Sequence, residues 1–197
     1  LIGLIYADCR RIPQILDPAS RNGVSYTGSG ALRRVWRMPG KSDEELLNSF
    51  LFSGIPIADA MGLQVISYGA EGLTLSAPLG PNRNDKGTAF AGSIYSAAVL
   101  AGWGLVTLGL REAGLDASVV VKDAEIRYLV PVVAPFTSFC ASPKAPEWRE
   151  FLSSVKTKKG GKITLAVEVT QETGKAARFE GLYAAFLRME GIPLDSR

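Results

Sequence analysis

In GPNRNDKGTAFAGSIYSAAVLAGWGLVTLGL, residues 80–110, no Asp, Glu, Lys or Arg occurs from Gly87 to Leu110. A loop of Gly, Pro, Asn and Asp opens here into a stretch that is apolar on every face when drawn as a helix. Such a helix either crosses a membrane or fills the centre of a fold. Small residues recur along it (Ala91, Gly92, Ser93, Ala97, Ala98, Ala101, Gly102, Gly104), and small residues let a sheet close tightly around a helix axis. The flanks on both sides are rich in Val, Ile, Thr, Phe and Tyr with turn residues between them, the pattern of antiparallel strands. A central helix wrapped by a sheet is therefore favoured over a membrane span.

Working outward, the spacing predicts the long helix over roughly 88–113, stopped by Gly114. Before it, strands are expected at 63–68 and 72–77, joined by a tight turn around 69–71. After it, strands are expected at 117–129 and 132–141, then a short surface helix at 146–155. The basic run KTKKGGK (156–162) reads as a loop, leading into strands at 163–171 and 176–188. Upstream, Ser42 and Glu45 form a capping box ahead of Leu46, Leu47, Phe50 and Leu51, Gly54–Ile55–Pro56 breaks that helix, and IADAMG adds a short second turn. The order is α+β with an antiparallel sheet.

The 197 residues suffice for one domain with a substantial core. Residues 1–41 read as a leader and 42–197 as the folded domain. The leader lacks periodicity, and its first Met is Met38. Three readings stay open for it: a fragment of a longer chain, a disordered or targeting leader, or a start placed too far upstream. Residues 1–37 hold Arg10, Arg11, Arg21, Arg33, Arg34 and Arg37 against Asp8 and Asp17 only, so the basic excess belongs to the leader. The rest of the chain is slightly acidic, which argues against nucleic-acid binding by the domain.

Histidine is absent. That removes Ser-His-Asp and Cys-His nucleophiles, a histidine base and histidine-ligated zinc. Cys9 and Cys140 form no metal or disulfide pattern. Cys140 reads as a small buried hydrophobe, and a reducing compartment fits.

The element order and the loop together resemble the hot-dog fold of acyl-CoA thioesterases, a long helix wrapped in an antiparallel sheet. The motif common among them reads N-x-x-G-x-x-H-G-G, and Asn84, Gly87, Phe90, Ala91 and Gly92 fall at those positions. NDKGTAFAGSIYSAAVLAGWG and DAEIRYLVPV are similar to the two signature blocks of a thioesterase family also found as the C-terminal half of some acetyltransferase-like proteins. The resemblance covers about residues 43–190. It implies a homodimer or higher homo-oligomer with a dimer-interface site, an acyl-CoA or acyl carrier protein thioester as substrate, no cofactor or metal, and a cytoplasmic protein, or an organellar one if residues 1–37 are a targeting leader. Two departures stand out: the motif histidine is Phe90, and the helix acid nine residues on is Val99.

Thioester hydrolysis needs a polarised carbonyl, an activated water or carboxylate, and a slot for the acyl chain. The helix start offers unpaired N–H groups and a positive dipole end, which Ala91 and Gly92 would let a carbonyl approach; equally, they are small to pack against the sheet. Asn84 is expected to position substrate or water. Asp85 is the nearest carboxylate in sequence, though such residues also serve plain loops. Asp123 shares a strand face with Glu125 and Arg127, opposite Ala124, Ile126 and Tyr128, and is the first choice for a base, against a solvated charged face. Phe90, Ser93, Ser96, Lys86 and Tyr128 are expected substrate contacts. The alternative function is a non-catalytic acyl-CoA-binding module, with a purely structural dimerisation domain as a third class.

Overall fold

The computed structural model describes residues 48, 49 and 51–188. The leader with Cys9, the Ser42–Glu45 capping box and Phe50 lie outside the described residues. The described chain falls into two units divided after Asp59. In the first, residues 48, 49, 51 and 52 are helical, and helix α1 (Pro56–Ala60) follows the Gly54–Ile55 break.

The second unit is built on one six-stranded antiparallel sheet, ordered β1-β2-β4-β5-β6-β3. Its strands are β1 (Gln64–Gly69), β2 (Gly72–Ala77), β3 (Ala117–Tyr128), β4 (Phe136–Ala141), β5 (Gly160–Gln171) and β6 (Gly174–Leu187). The central helix α2 (Ala91–Glu112) touches β2 through β6. This is the hot-dog architecture. Two-thirds of the helix's most apolar stretch is buried inside the protein, so its length and composition are those of a core helix.

The all-round apolarity has two causes. One face packs on the sheet, where Gly102 leaves room for Tyr183, whose hydroxyl donates to the Val99 carbonyl at 3.0 Å. Near its C-terminal end the helix also meets α3 (Ala145–Lys158), a helix that packs on β5 and β6. Trp148 of α3 fills the space that a side chain at Gly109 would need, and stacks on Phe151 with ring centroids 5.3 Å apart.

Several boundaries differ from expectation, each for a physical reason. The helix begins at Ala91 because Phe90 is extended (φ −65°, ψ 132°), held so with the Ala89 and Phe90 amides donating to Val132 O (2.8 Å) and Asn82 O (2.7 Å). Residues 132–135 are not strand: Pro131 just before them and Pro135 at their end have no N–H groups to offer. KTKKGGK is no loop. Residues 156–158 end α3, Lys159 turns the chain in the left-handed conformation (φ 59°), and Gly160 starts β5. Gly161 then packs so close to Phe151 and Val155 that no side chain fits.

Strand β3 contains a bulge between Val121 and Asp123. Residues directly opposite in a sheet share a face. Val119 and Val121 lie opposite Ala185 and Tyr183, both buried against the helix. Past the bulge, Ala124, Ile126 and Tyr128 take over that inner face, and Asp123, Glu125 and Arg127 face outward. The predicted grouping of these six side chains holds, with Lys122 as the extra residue.

Candidate active site

The loop before α2 is tied by two asparagines. The Asn84 side chain accepts from the backbone N–H groups of Lys86 (2.9 Å) and Thr88 (3.1 Å) and donates to Thr88 Oγ1 (2.9 Å). Its own N–H donates to Thr88 O at 2.7 Å. Asn84 thus spends its hydrogen-bonding capacity on the loop. Asn82, which the sequence did not single out, is buried and donates from Nδ2 to Met61 O (2.8 Å) and Pro78 O (2.7 Å). Together they fix where the helix starts.

At that start, Phe90 is the N-cap, extended at φ −65° and ψ 132°, and no side chain caps the helix. Its carbonyl accepts from Ser93 and Ile94. The Ala91 and Gly92 N–H groups have no partner among the described residues, which leaves two donors at the positive end of a 22-residue helix. A side chain at Gly92 would collide with the Phe90 ring; Gly92 is small so that this ring can lie against the first turn.

Beside these donors opens a cleft of about 330 Å³, lined by Thr88, Ala89, Ala91 and Ile94 on the helix side and by Tyr128 to Val132 on the other. Two contacts join its walls: Ala89 N–H to Val132 O, and the Tyr128 hydroxyl to Ala91 O at 2.9 Å. Burial, then the neighbouring Tyr95, raises the pKa of Tyr128, so the phenol stays a neutral donor. Phe90, Tyr128, Leu129, Val130 and Val133 are each 44–58% exposed. A concentration of large apolar side chains in water marks a binding surface.

The expected site residues separate into two groups. Ala91, Gly92, Phe90 and Tyr128 meet at the helix start, and Asn84 holds the loop behind them. Asp85 is exposed beside them, with both carboxylate oxygens 3.0 Å from Lys86 Nζ. Ser93 and Ser96 are half-buried, without hydroxyl partners among the described residues. Asp123 is elsewhere: it faces outward opposite Leu182, five residues and about 17 Å along the strand from Tyr128. Among the described residues no carboxylate lines the cleft. Val99, at the family acid's position, is half-buried. The sequence marked Leu129 to Val132 only as part of a signature block and not as a wall of the site, and left Gln171 behind it unmarked. One signal was available for Gln171: it occupies an inward position in the series Ile163, Leu165, Val167, Val169, where a polar side chain needs partners.

Comparison with known proteins bears on most of the chain. Residues 44–187 match the family described as "Putative thioesterase (yiiD_Cterm)". A crystal structure of a Chlorobaculum tepidum protein of unknown function is 34% identical with a TM-score of 0.69, covering 73% of this chain and 94% of that one. A "putative thioesterase" from Shewanella oneidensis is 33% identical with a TM-score of 0.66, covering 72% and 96%. A Pseudomonas aeruginosa protein of unknown function, at 21% identity and a TM-score of 0.64 over 73% and 95% of the two chains, shares the fold. The long buried helix and the sheet that wraps it are thus those of a known group, and the chain belongs to the family described as "Putative thioesterase (yiiD_Cterm)".

Proposed function

We propose that this protein hydrolyses an acyl thioester, of coenzyme A or an acyl carrier protein, at a site completed by a second copy of the chain. The observation that carries the reading is the pair of unpartnered N–H groups at Ala91 and Gly92 at the helix start, beside an apolar cleft that Ala91 lines. A thioester carbonyl seated there would receive hydrogen bonds that strengthen as its oxygen becomes negative, and one such donor is generally worth about 10²–10³ in rate. Attack of water forms the tetrahedral intermediate. Its collapse breaks the C–S bond, releasing the acid and the thiol. The apolar wall from Tyr128 to Val132 would receive the start of the acyl chain.

In this reading Asp85 takes the proton from the attacking water. It belongs to the loop that borders the cleft through Thr88, and its partner Lys86 is an exposed ion pair that water opens readily. Asn84 acts through that loop. Asp123 faces the other side of the sheet. Dimerisation is supported by β3, a 12-residue edge strand with open backbone groups.

A non-catalytic acyl-CoA-binding module is the second reading, favoured by the lack of a carboxylate lining the cleft among the described residues. Release of free thiol from a panel of short- to long-chain acyl-CoAs tests both. Turnover that falls in Asp85→Asn supports hydrolysis. Saturable acyl-CoA binding without thiol release overturns it in favour of the module.

A further inference from the structure

The wall that faces the helix start is held from behind by one side chain. Gln171, the last residue of β5, is nine-tenths buried. Its Nε2 donates to Pro131 O at 3.0 Å, and its Oε1 accepts from Val133 N–H at 2.9 Å. A single carboxamide therefore binds both polar groups that a neighbouring strand would have bound. It does so where Pro131 and Pro135 bound a segment without ladder pairing. Val132 lies between the two clasped groups. Its carbonyl accepts from Ala89 N–H, two residues before the helix, and its side chain is fully buried. The upstream part of the wall is held separately, by the Leu129 and Val130 amides donating to Ala176 O.

From this arrangement we propose that Gln171 is a positioning residue that sets the distance between the apolar wall and the helix start, and so which acyl groups the cleft accepts. The inference rests on the acyl-thioester reading above. On the helix side the cleft is lined by Ala91 and by Ile94, whose side chain is buried. The 129–133 wall is irregular and exposed on its outer side, so its place depends on the few hydrogen bonds that hold it. Losing the clasp leaves the Val133 N–H and Pro131 O unpaired and lets the wall drift outward. A short acyl group, held mainly at the helix donors, would be little affected; a longer one, lying along the wall, would lose contact.

The test compares wild type, Gln171→Met (similar length, no hydrogen bonds) and Gln171→Glu (acceptor kept, donor replaced by an oxygen facing Pro131 O). Two readouts are taken. The first is amide hydrogen exchange at Val133 and Ala89, which needs no turnover. Protection at both should fall about tenfold or more in Gln171→Met, with amides in the centre of β5 and β6 unchanged. The second is the kinetics of acetyl-CoA and octanoyl-CoA hydrolysis. KM for octanoyl-CoA should rise about tenfold in Gln171→Met and further in Gln171→Glu, with kcat and the acetyl-CoA parameters within about twofold. Unchanged protection overturns the clasp, whatever the activity. Lost protection with equal effects on both substrates overturns the specificity role. Lost protection in Gln171→Met, where the wild type itself releases no thiol, keeps the clasp and sinks the hydrolase reading; the same comparison is then made on acyl-CoA dissociation constants, where equal weakening for both acyl lengths refutes the inference.

Discussion

Replacing Ala91 by proline deletes one hydrogen-bond donor and leaves almost everything else in place. Ala91 is the first helical residue, where the N–H has no intrahelical partner and proline is favoured. The residue before a proline must be extended, and Phe90 already is, at φ −65° and ψ 132°. The Ala91 carbonyl, which accepts from the Tyr128 hydroxyl, is retained. Stability should therefore change little, with Tm within about 2 °C of wild type, because no helical bond is lost. The catalytic cost should be large. If the Ala91 N–H binds the developing oxyanion, kcat should fall about 10²–10³-fold, equivalent to ~3–4 kcal/mol. Proline also adds bulk beside the cleft, so Ala91→Val serves as the control of similar size with the N–H intact. Thiol release gives kcat, and a circular dichroism melt gives Tm. A folded Ala91→Pro protein within threefold of wild-type kcat would refute the oxyanion assignment. Equal losses in the proline and valine variants would assign the effect to volume instead.

Asp85→Asn should reduce kcat at least tenfold and leave Tm unchanged, since its ion pair with Lys86 is exposed. Asp123→Asn, on the outer face of the sheet, should leave kcat within twofold; the same thiol-release assay reads both. Gly102→Ala should lower Tm by roughly 5–12 °C, since its methyl group would overlap the Tyr183 ring and hydroxyl and disturb the bond to Val99 O. Overpacking and a lost buried bond together cost about 2–4 kcal/mol, and differential scanning calorimetry measures it. Cys140 should resist alkylation in the native protein at pH 8.5. It is fully buried, and burial raises its thiol to about 12, leaving only about one thiolate in several thousand. Peptide mapping after iodoacetamide treatment, with and without denaturant, checks this.

The fold was legible because its decisive signal is local. A run of uncharged small and apolar residues flanked by strand-forming segments has few other ways to be buried. The helix start was legible for the same reason, as the boundary between the polar loop and the apolar run. The cleft's second wall was not. Leu129 to Val133 look in sequence like a continuation of the strands around them. Only the pairing of Ala89 with Val132, 43 residues apart in number, and of Gln171 with Pro131 and Val133 turns them into a wall. Contacts of that span leave no periodic trace. Asn82 escaped notice likewise, because a buried amide clasping Met61 and Pro78 carbonyls reads in sequence as one more turn-forming residue.

The bulge in β3 was not anticipated from the sequence, and it has a consequence for chemistry. Strict alternation along ASVVVKDAEIRY would put Val119, Val121, Asp123, Glu125 and Arg127 on one face, burying three charges or exposing the valines. Neither is tolerable beside an apolar helix. One extra residue resolves the conflict, and Lys122 is the residue whose long, flexible side chain best tolerates standing out of register. The phase shift brings Tyr128 inward, where it reaches Ala91 O, and by the same half-turn sends Asp123 outward. A tyrosine at the helix start and an inward aspartate five residues earlier are mutually exclusive in this strand. The absence of the helix acid at Val99 is therefore not made good from β3 of the same subunit, and under the hydrolytic reading the proton acceptor proposed among the described residues is Asp85, in the loop that leads to the helix.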